Sequence, residues 1–237
     1  MRLAVLELPA TWGLRDRQLA RVDALLARGP EAELVLLPEA SLTGYVSPDG
    51  DFDVSAFGEP AGGETEQALS ALARKHRVHL VGPAIERAGD CLYNAMVAFA
   101  PDGGEVFRYR KRHPWYPEVW AAPGQGLHPV VDIAGLRVTI GTCFDIHFMK
   151  SEAAAELAEA DLLLFPSAWV EQSDSRPSML PSLAQTFTTA IANANWGAGS
   201  PRVAGQGGSR IYGGDGVVVA EARAGRADAV IQPRSRA

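Results

Sequence analysis

Two short apolar runs constrain this chain most. Leu34-Val35-Leu36-Leu37 is unbroken and stops at Pro38, and Leu162-Leu163-Leu164-Phe165 is unbroken and stops at Pro166. A strand with one wet face alternates apolar and polar residues, so an uninterrupted run marks a strand covered on both faces. Both runs are far shorter than the roughly 18 residues of a membrane-spanning helix. Such strands need helices or a second sheet over them. Helical periodicity supplies covers over Arg15–Arg28, with Leu19, Val22, Leu25 and Leu26 on one face, and over Glu64–His76, with Ala68, Leu69, Leu72 and Ala73. Residues 151–160 and 178–194 read as further helices. Strands are expected at 3–8, 78–85, 161–165 and 217–220. Hairpins join 94–100 to 105–111 around Pro101-Asp102-Gly103-Gly104, and 130–133 to 136–142 at Ala134-Gly135. The glycine-rich stretch 205–216 lacks the Gly-Lys-Ser/Thr ending of a phosphate loop and reads as a turn-rich strand connection. The pattern is α/β with a mixed sheet or two sheets. No Pro- or Ser-rich linker divides it, so one domain over 1–237 is expected.

The 22 basic residues against 28 acidic ones leave a charge of −6, which speaks against nucleic acid or an anionic membrane as partner. The basic run 108–113 therefore reads as a solvated strand face. Two cysteines cannot build a disulfide framework. Glu7 interrupts the N-terminal apolar stretch, unlike a signal peptide, so a cytoplasmic protein with free thiols is expected. The histidines are scattered, and His76 and His79 have no carboxylate motif beside them, so no metal or other cofactor is expected.

Polar residues stand where the apolar strands end. Glu39 follows 34–38, Cys143 follows Val138-Thr139-Ile140-Gly141-Thr142, and Ser167 and Trp169 follow 162–166. In α/β sheets the carboxyl ends of strands gather along one edge, where ligands bind. Alternation along 105–111 puts Phe107, Tyr109 and Lys111 on the apolar face. A buried ammonium needs a carboxylate, and Glu39 or Glu118 can supply one. A cation lowers a thiol's pKa, a carboxylate can take its proton, and an ammonium can hold an oxyanion, so Glu, Lys and Cys together suit acyl transfer. Cys91 has no such setting and reads as a core or strand-end thiol.

Leu37-Pro38-Glu39 with Leu42-Thr43-Gly44-Tyr45, then Tyr109-Arg110-Lys111, then Gly141-Thr142-Cys143-Phe144-Asp145, resemble in order and spacing the three signature blocks of the nitrilase superfamily of carbon–nitrogen hydrolases. The segments 160–169 and Gly208-Ser209-Arg210-Ile211 extend the resemblance to about residue 220. It implies a four-layer α-β-β-α sandwich, dimerised through its helical layers, and a cofactor-independent Glu-Lys-Cys triad. Cys143 would be the nucleophile, Glu39 the general base, Lys111 the oxyanion-stabilising lysine and Glu118 the glutamate that positions it. The Phe144 N–H would complete the oxyanion hole, and Tyr45, Trp115, Ser167 and Trp169 would line the substrate pocket.

The sequence departs from the family pattern after the cysteine. His147, Met149 and Lys150 stand where an Arg and a Pro-Glu pair are common, which implies loss of a structural ion pair. The stretch 111–120 resembles the segment that follows the lysine in aliphatic amidases, which points to a small amide that releases ammonia. A nitrile or an N-carbamoyl substrate is the alternative on the same triad. A catalytically silent ligand-binding module is the alternative from another class.

Overall fold

The computed structural model describes residues 1–170, 173–200 and 203–234. The chain runs β1 (Arg2–Leu6), α1 (Arg15–Arg28), β2 (Leu34–Leu36), β3 (Glu59–Pro60), α2 (Glu64–His76), β4 (His79–Ala88), β5 (Cys91–Phe99) and β6 (Glu105–Arg110). It continues with β7 (Val131–Ile133), β8 (Leu136–Ile140), α3 (Ile146–Glu152), α4 (Ala154–Glu159), β9 (Leu162–Pro166), α5 (Arg176–Phe187), β10 (Ala190–Ala194), β11 (Arg210–Tyr212), β12 (Val218–Glu221) and β13 (Arg226–Val230).

These strands form two sheets. One has the order β13-β1-β2-β4-β5-β6, with β3 beside β4, and the other β12-β11-β10-β9-β8-β7. Side-chain alternation builds four layers from them. Leu3, Val5, Leu34 and Leu36 of the first sheet meet Val138, Ile140, Leu162 and Leu164 of the second in a core between the sheets. The intervening residues Ala4, Leu6, Val35 and Leu37 turn outward against Val22, Leu26, Leu69 and Ala73 of α1 and α2. Leu163, Phe165 and Ile191 do the same against Met149, Leu157, Leu180 and Leu183 of α3 to α5. The unbroken apolar runs are thus strands between two apolar layers. Burying each Leu fully is worth about 1.5–3 kcal/mol. The expected α-β-β-α sandwich is the fold observed.

Differences from the sequence reading have local causes. Residues 178–194 are not one helix: α5 ends at Phe187, Thr188 takes a left-handed φ of 54°, and 190–194 form β10. Ala-Ile-Ala-Asn-Ala has helical propensity, but its place between β9 and β11 decides its conformation. The expected helix 151–160 is two, divided at Ala153. β11 is a strand that the glycine-rich context concealed, and β13 (Arg226–Val230) is a further strand that the sequence reading did not mark. The hairpin at Ala134-Gly135 forms as expected, both turn residues having positive φ (49° and 80°) as a tight two-residue turn demands. Cys91 opens β5 and is exposed rather than part of the core. The basic face of β6 is not simply solvated. Arg108 binds Glu66 of α2 through both terminal nitrogens, at 2.7 and 2.8 Å, and Arg110 binds Glu86 of β4.

Candidate active site

Glu39, Lys111, Cys143 and Ser167 each follow the carboxyl end of a strand, as the resemblance requires, and three of them share one buried cluster. Lys111 continues the apolar face of β6, where Phe107 and Tyr109 are buried too. Its Nζ donates to Glu39 Oε1 at 2.8 Å and to Glu118 Oε2 at 2.7 Å, and all three side chains have 0% exposure. Burial alone would pull the ammonium's pKa down. The charges of Glu39 and Glu118 outweigh burial and hold it above the ordinary lysine value. Burial pushes the Glu118 carboxyl above the usual range, with Lys111 opposing and Glu39 adding to the rise.

The backbone holds Glu39 from several sides. Pro38 ends the strand, Ala40 takes a left-handed φ of 48°, and the Trp196 indole N–H donates to the Glu39 carbonyl at 2.8 Å. The Ala168 N–H, just past β9, donates to Glu39 Oε2 at 2.8 Å.

Cys143 starts a one-turn 3-10 helix, Cys143–Asp145, directly after β8. Its φ of 47° is left-handed, a strained setting for a side chain with a Cβ. Asp145 over-determines this turn. It accepts the Thr142 N–H at 2.9 Å, the His113 N–H at 2.8 Å and the Tyr109 hydroxyl at 2.7 Å. The sequence led us to expect a neighbouring cation to lower the Cys143 pKa. Instead burial, followed by the Glu39 charge, pushes the thiol well up, and Lys111 only partly opposes them.

A cavity of about 20 Å³ opens on Cys143, lined by Trp115, Phe144, Ala168, Trp169 and Val170. One water needs some 10–15 Å³ by this measure, so the space is small and its side walls largely apolar. Trp115 and Trp169 border this cavity. Tyr45 and Ser167 do not line the cavity. The Tyr45 ring packs on Trp115 and Trp196, and its buried hydroxyl feels Glu118 without an ordinary hydrogen bond. The Ser167 hydroxyl donates to Asn195 Oδ1 at 3.0 Å and accepts from Asn193, so it braces β10. Met149, where the family pattern has the Pro, is fully buried against Gly141 and the α5 side chains. His147 is exposed and lies near Phe144 and Trp169. Among the described residues no group of three or more His, Cys, Asp or Glu side chains is arranged to hold a metal ion.

The carbon–nitrogen hydrolase family model matches residues 2–234. The chain belongs to the carbon–nitrogen hydrolase family. Omega-amidase NIT2 of Danio rerio is 31% identical over 181 residues, covering 71% of this chain and 63% of that protein. A nitrilase of Pyrococcus abyssi is 29% identical, covering 75% of this chain and 69% of the relative. The chain thus spans about two thirds of the length of these curated relatives. Among solved structures, the amidase NitN of Nesterenkonia sp. AN1 superposes with a TM-score of 0.83 at 24% identity, over 98% of this chain and 93% of that one. Mutants of that amidase have been solved with acrylamide added at the active-site cysteine and in complex with butyramide.

The cluster has neighbours that the sequence reading did not single out. Asn94 on β5 touches both glutamates, Asp145 ties the cysteine turn to β6, and the Ala168 N–H reaches Glu39. Asp145 lay within a quoted motif. Asn94 gave no local signal, because only strand pairing brings it opposite Lys111. No helix of the described residues is long and apolar enough to cross a membrane.

Proposed function

We propose that this hydrolase cleaves short, neutral amides through a thioester on Cys143. The observation that carries the reading is Lys111, buried between two carboxylates beside a buried thiol. A buried ion pair of this kind adds little stability over an apolar substitute, whereas it places a base and a cation beside a nucleophile. In the proposed sequence the Cys143 proton passes to Glu39 as sulfur bonds to the amide carbon. Lys111 Nζ and the Phe144 N–H hold the resulting oxyanion, while Glu118 fixes Lys111. Glu39 gives its proton to the amide nitrogen, the C–N bond breaks and ammonia leaves. A water then attacks the thioester, losing a proton to Glu39. The C–S bond breaks, sulfur regains that proton and the acid departs.

The lining of the cavity favours a neutral acyl group. Among the described residues the one guanidinium beside its wall is Arg176, 5.9 Å over the Trp169 ring, and it is bound to Asp174, Asn193 and the Gly207 carbonyl. Among the described residues that guanidinium is already paired and so is not available to a substrate carboxylate, which disfavours N-carbamoyl amino acids and ω-amido acids. Assembly into a dimer through the helical layers belongs to the same reading and is tested by light scattering.

The test is ammonia release from acetamide, propionamide, butyramide, ω-amido acids, carbamoyl compounds and nitriles, wild type beside Cys143→Ala. Release from the short amides by wild type alone is expected, with a loss of about 10⁴-fold or more in the variant. Release from nitriles alone would make it a nitrilase. Release from nothing, with amides binding unaltered, would make it a silent ligand-binding module.

A further inference from the structure

Asn94 stands at the centre of the buried cluster. It lies on β5, is 2% exposed, and its carbonyl accepts the Lys111 backbone N–H at 2.8 Å. Its side-chain Nδ2 donates to Glu39 Oε1 at 2.8 Å and to Glu118 Oε1 at 2.7 Å. Reversing the amide would turn its oxygen on two carboxylates, so the neighbours themselves fix its orientation. Oδ1 then has no protein hydrogen-bond partner.

The two oxygens of Glu39 are loaded unequally. Oε1 accepts from both Lys111 Nζ and Asn94 Nδ2, whereas Oε2 accepts from the Ala168 N–H, which also faces the Cys143 sulfur. With two donors on Oε1 and one on Oε2, the open lone pair is on Oε2. The charges matter as well. Two carboxylates face one ammonium, and Asn94 adds two donors without adding charge.

We propose that Asn94 is a positioning residue that loads Oε1 of Glu39, leaves Oε2 to take the Cys143 proton, and couples Glu39 to Glu118 in that transfer. The proposal rests on the reading in which Glu39 is the base for Cys143.

The experiment measures alkylation of Cys143 by iodoacetamide against pH, resolved by peptide mass spectrometry, with exposed Cys91 as internal control. This readout needs no substrate. Wild type, Asn94→Ala, Asn94→Ser and the isosteric Asn94→Asp are compared, with thermal melts to verify folding. In Asn94→Asp a third carboxylate should make the cluster hold protons to higher pH, moving the midpoint of Cys143 alkylation up by about one pH unit or more. Asn94→Ala should move it in the same direction by less. Amide turnover should fall by about 10²-fold in kcat with KM within about threefold, as expected for lost proton transfer rather than lost binding. A folded Asn94→Asp or Asn94→Ser with the wild-type midpoint and kcat would overturn the proposal. If wild type releases ammonia from no amide but the alkylation midpoint still shifts, Asn94 keeps its role and the substrate reading falls. If turnover is normal in wild type and the midpoint does not move, only the role of Asn94 falls.

Discussion

The Tyr109 hydroxyl donates to Asp145 Oδ2 across 2.7 Å, joining the strand that carries Lys111 to the turn that carries Cys143. The two residues belong to segments that follow from opposite sheets, so this buried hydrogen bond, with that of the His113 N–H to the same carboxylate, ties the cation's segment to the nucleophile's turn. Tyr109→Phe removes the donor and keeps the ring. We expect it to cost about 1.5–3 kcal/mol, as for a hydrogen bond to a charged group. In a chain of this size that lowers Tm by about 3–12 °C. Turnover should fall further than stability explains, because misplacing reacting groups by about 1 Å can cost 10²-fold. Calorimetry and kcat measured at a temperature where the variant is fully folded separate the two effects.

Acid sensitivity should come partly from Glu86. Burial alone would raise its carboxyl, but the Arg110 hydrogen bond and the Arg108 and Arg110 charges outweigh burial and hold it below its ordinary value of 4.5. A carboxylate with a depressed folded-state pKa contributes stability above its unfolded value, and that contribution is lost as pH falls through the folded value. Glu86→Gln should therefore destabilise by about 1–2 kcal/mol at pH 7, a figure reduced for screening at the partly exposed arginines. The difference from wild type should shrink steadily below about pH 4.5. Urea unfolding at pH 7, 5 and 3.5 measures it, and a difference constant with pH would rule out this origin.

The two thiols should separate by reagent size. Cys91 is exposed, whereas Cys143 is 7% exposed beneath a cavity of about 20 Å³. N-ethylmaleimide should modify Cys91 and leave activity unchanged, while iodoacetamide, being smaller, should reach Cys143 and abolish turnover. Peptide mass spectrometry beside residual activity reads both. Inactivation that tracks Cys91 labelling would contradict the assignment.

Trp169 should set acyl length. It packs on Phe165 and forms a wall of the cavity. Trp169→Ala should move the preference toward amides longer by one or two methylenes, by about 10-fold or more in relative kcat/KM, the scale on which hydrophobic pockets discriminate a methylene. Ratios for acetamide through hexanamide report this, and an unchanged ratio would place the acyl chain elsewhere.

What the sequence made readable follows from how each signal is encoded. Alternation along 105–111 was enough to bury Lys111 and to require a carboxylate partner, because a cost of burial is local information. The uninterrupted run 162–165 marked a doubly covered strand for the same reason. Ala190–Ala194 was misread because its five residues are small and helix-tolerant, and its strand state exists only through β9 and β11. Asn94 was not legible because its importance lies in the pairing of β5 with β6. The net direction of the Cys143 shift was not legible, because burial outweighs the lowering by Lys111, and burial depth is set by the packed sheets.

The pairing of β1 with β13 has a consequence for synthesis. Arg2–Leu6 aligns antiparallel with residues 226–230, so the first strand described is held on one side by the last strand described. A nascent chain emerging from the ribosome carries β1 with that edge open until some two hundred further residues have been added. Strand contacts this distant in sequence form slowly and leave a pairing edge unguarded meanwhile. Synthesis of this chain is thus a period of exposure to other chains, and it ends only when β13 has left the exit tunnel.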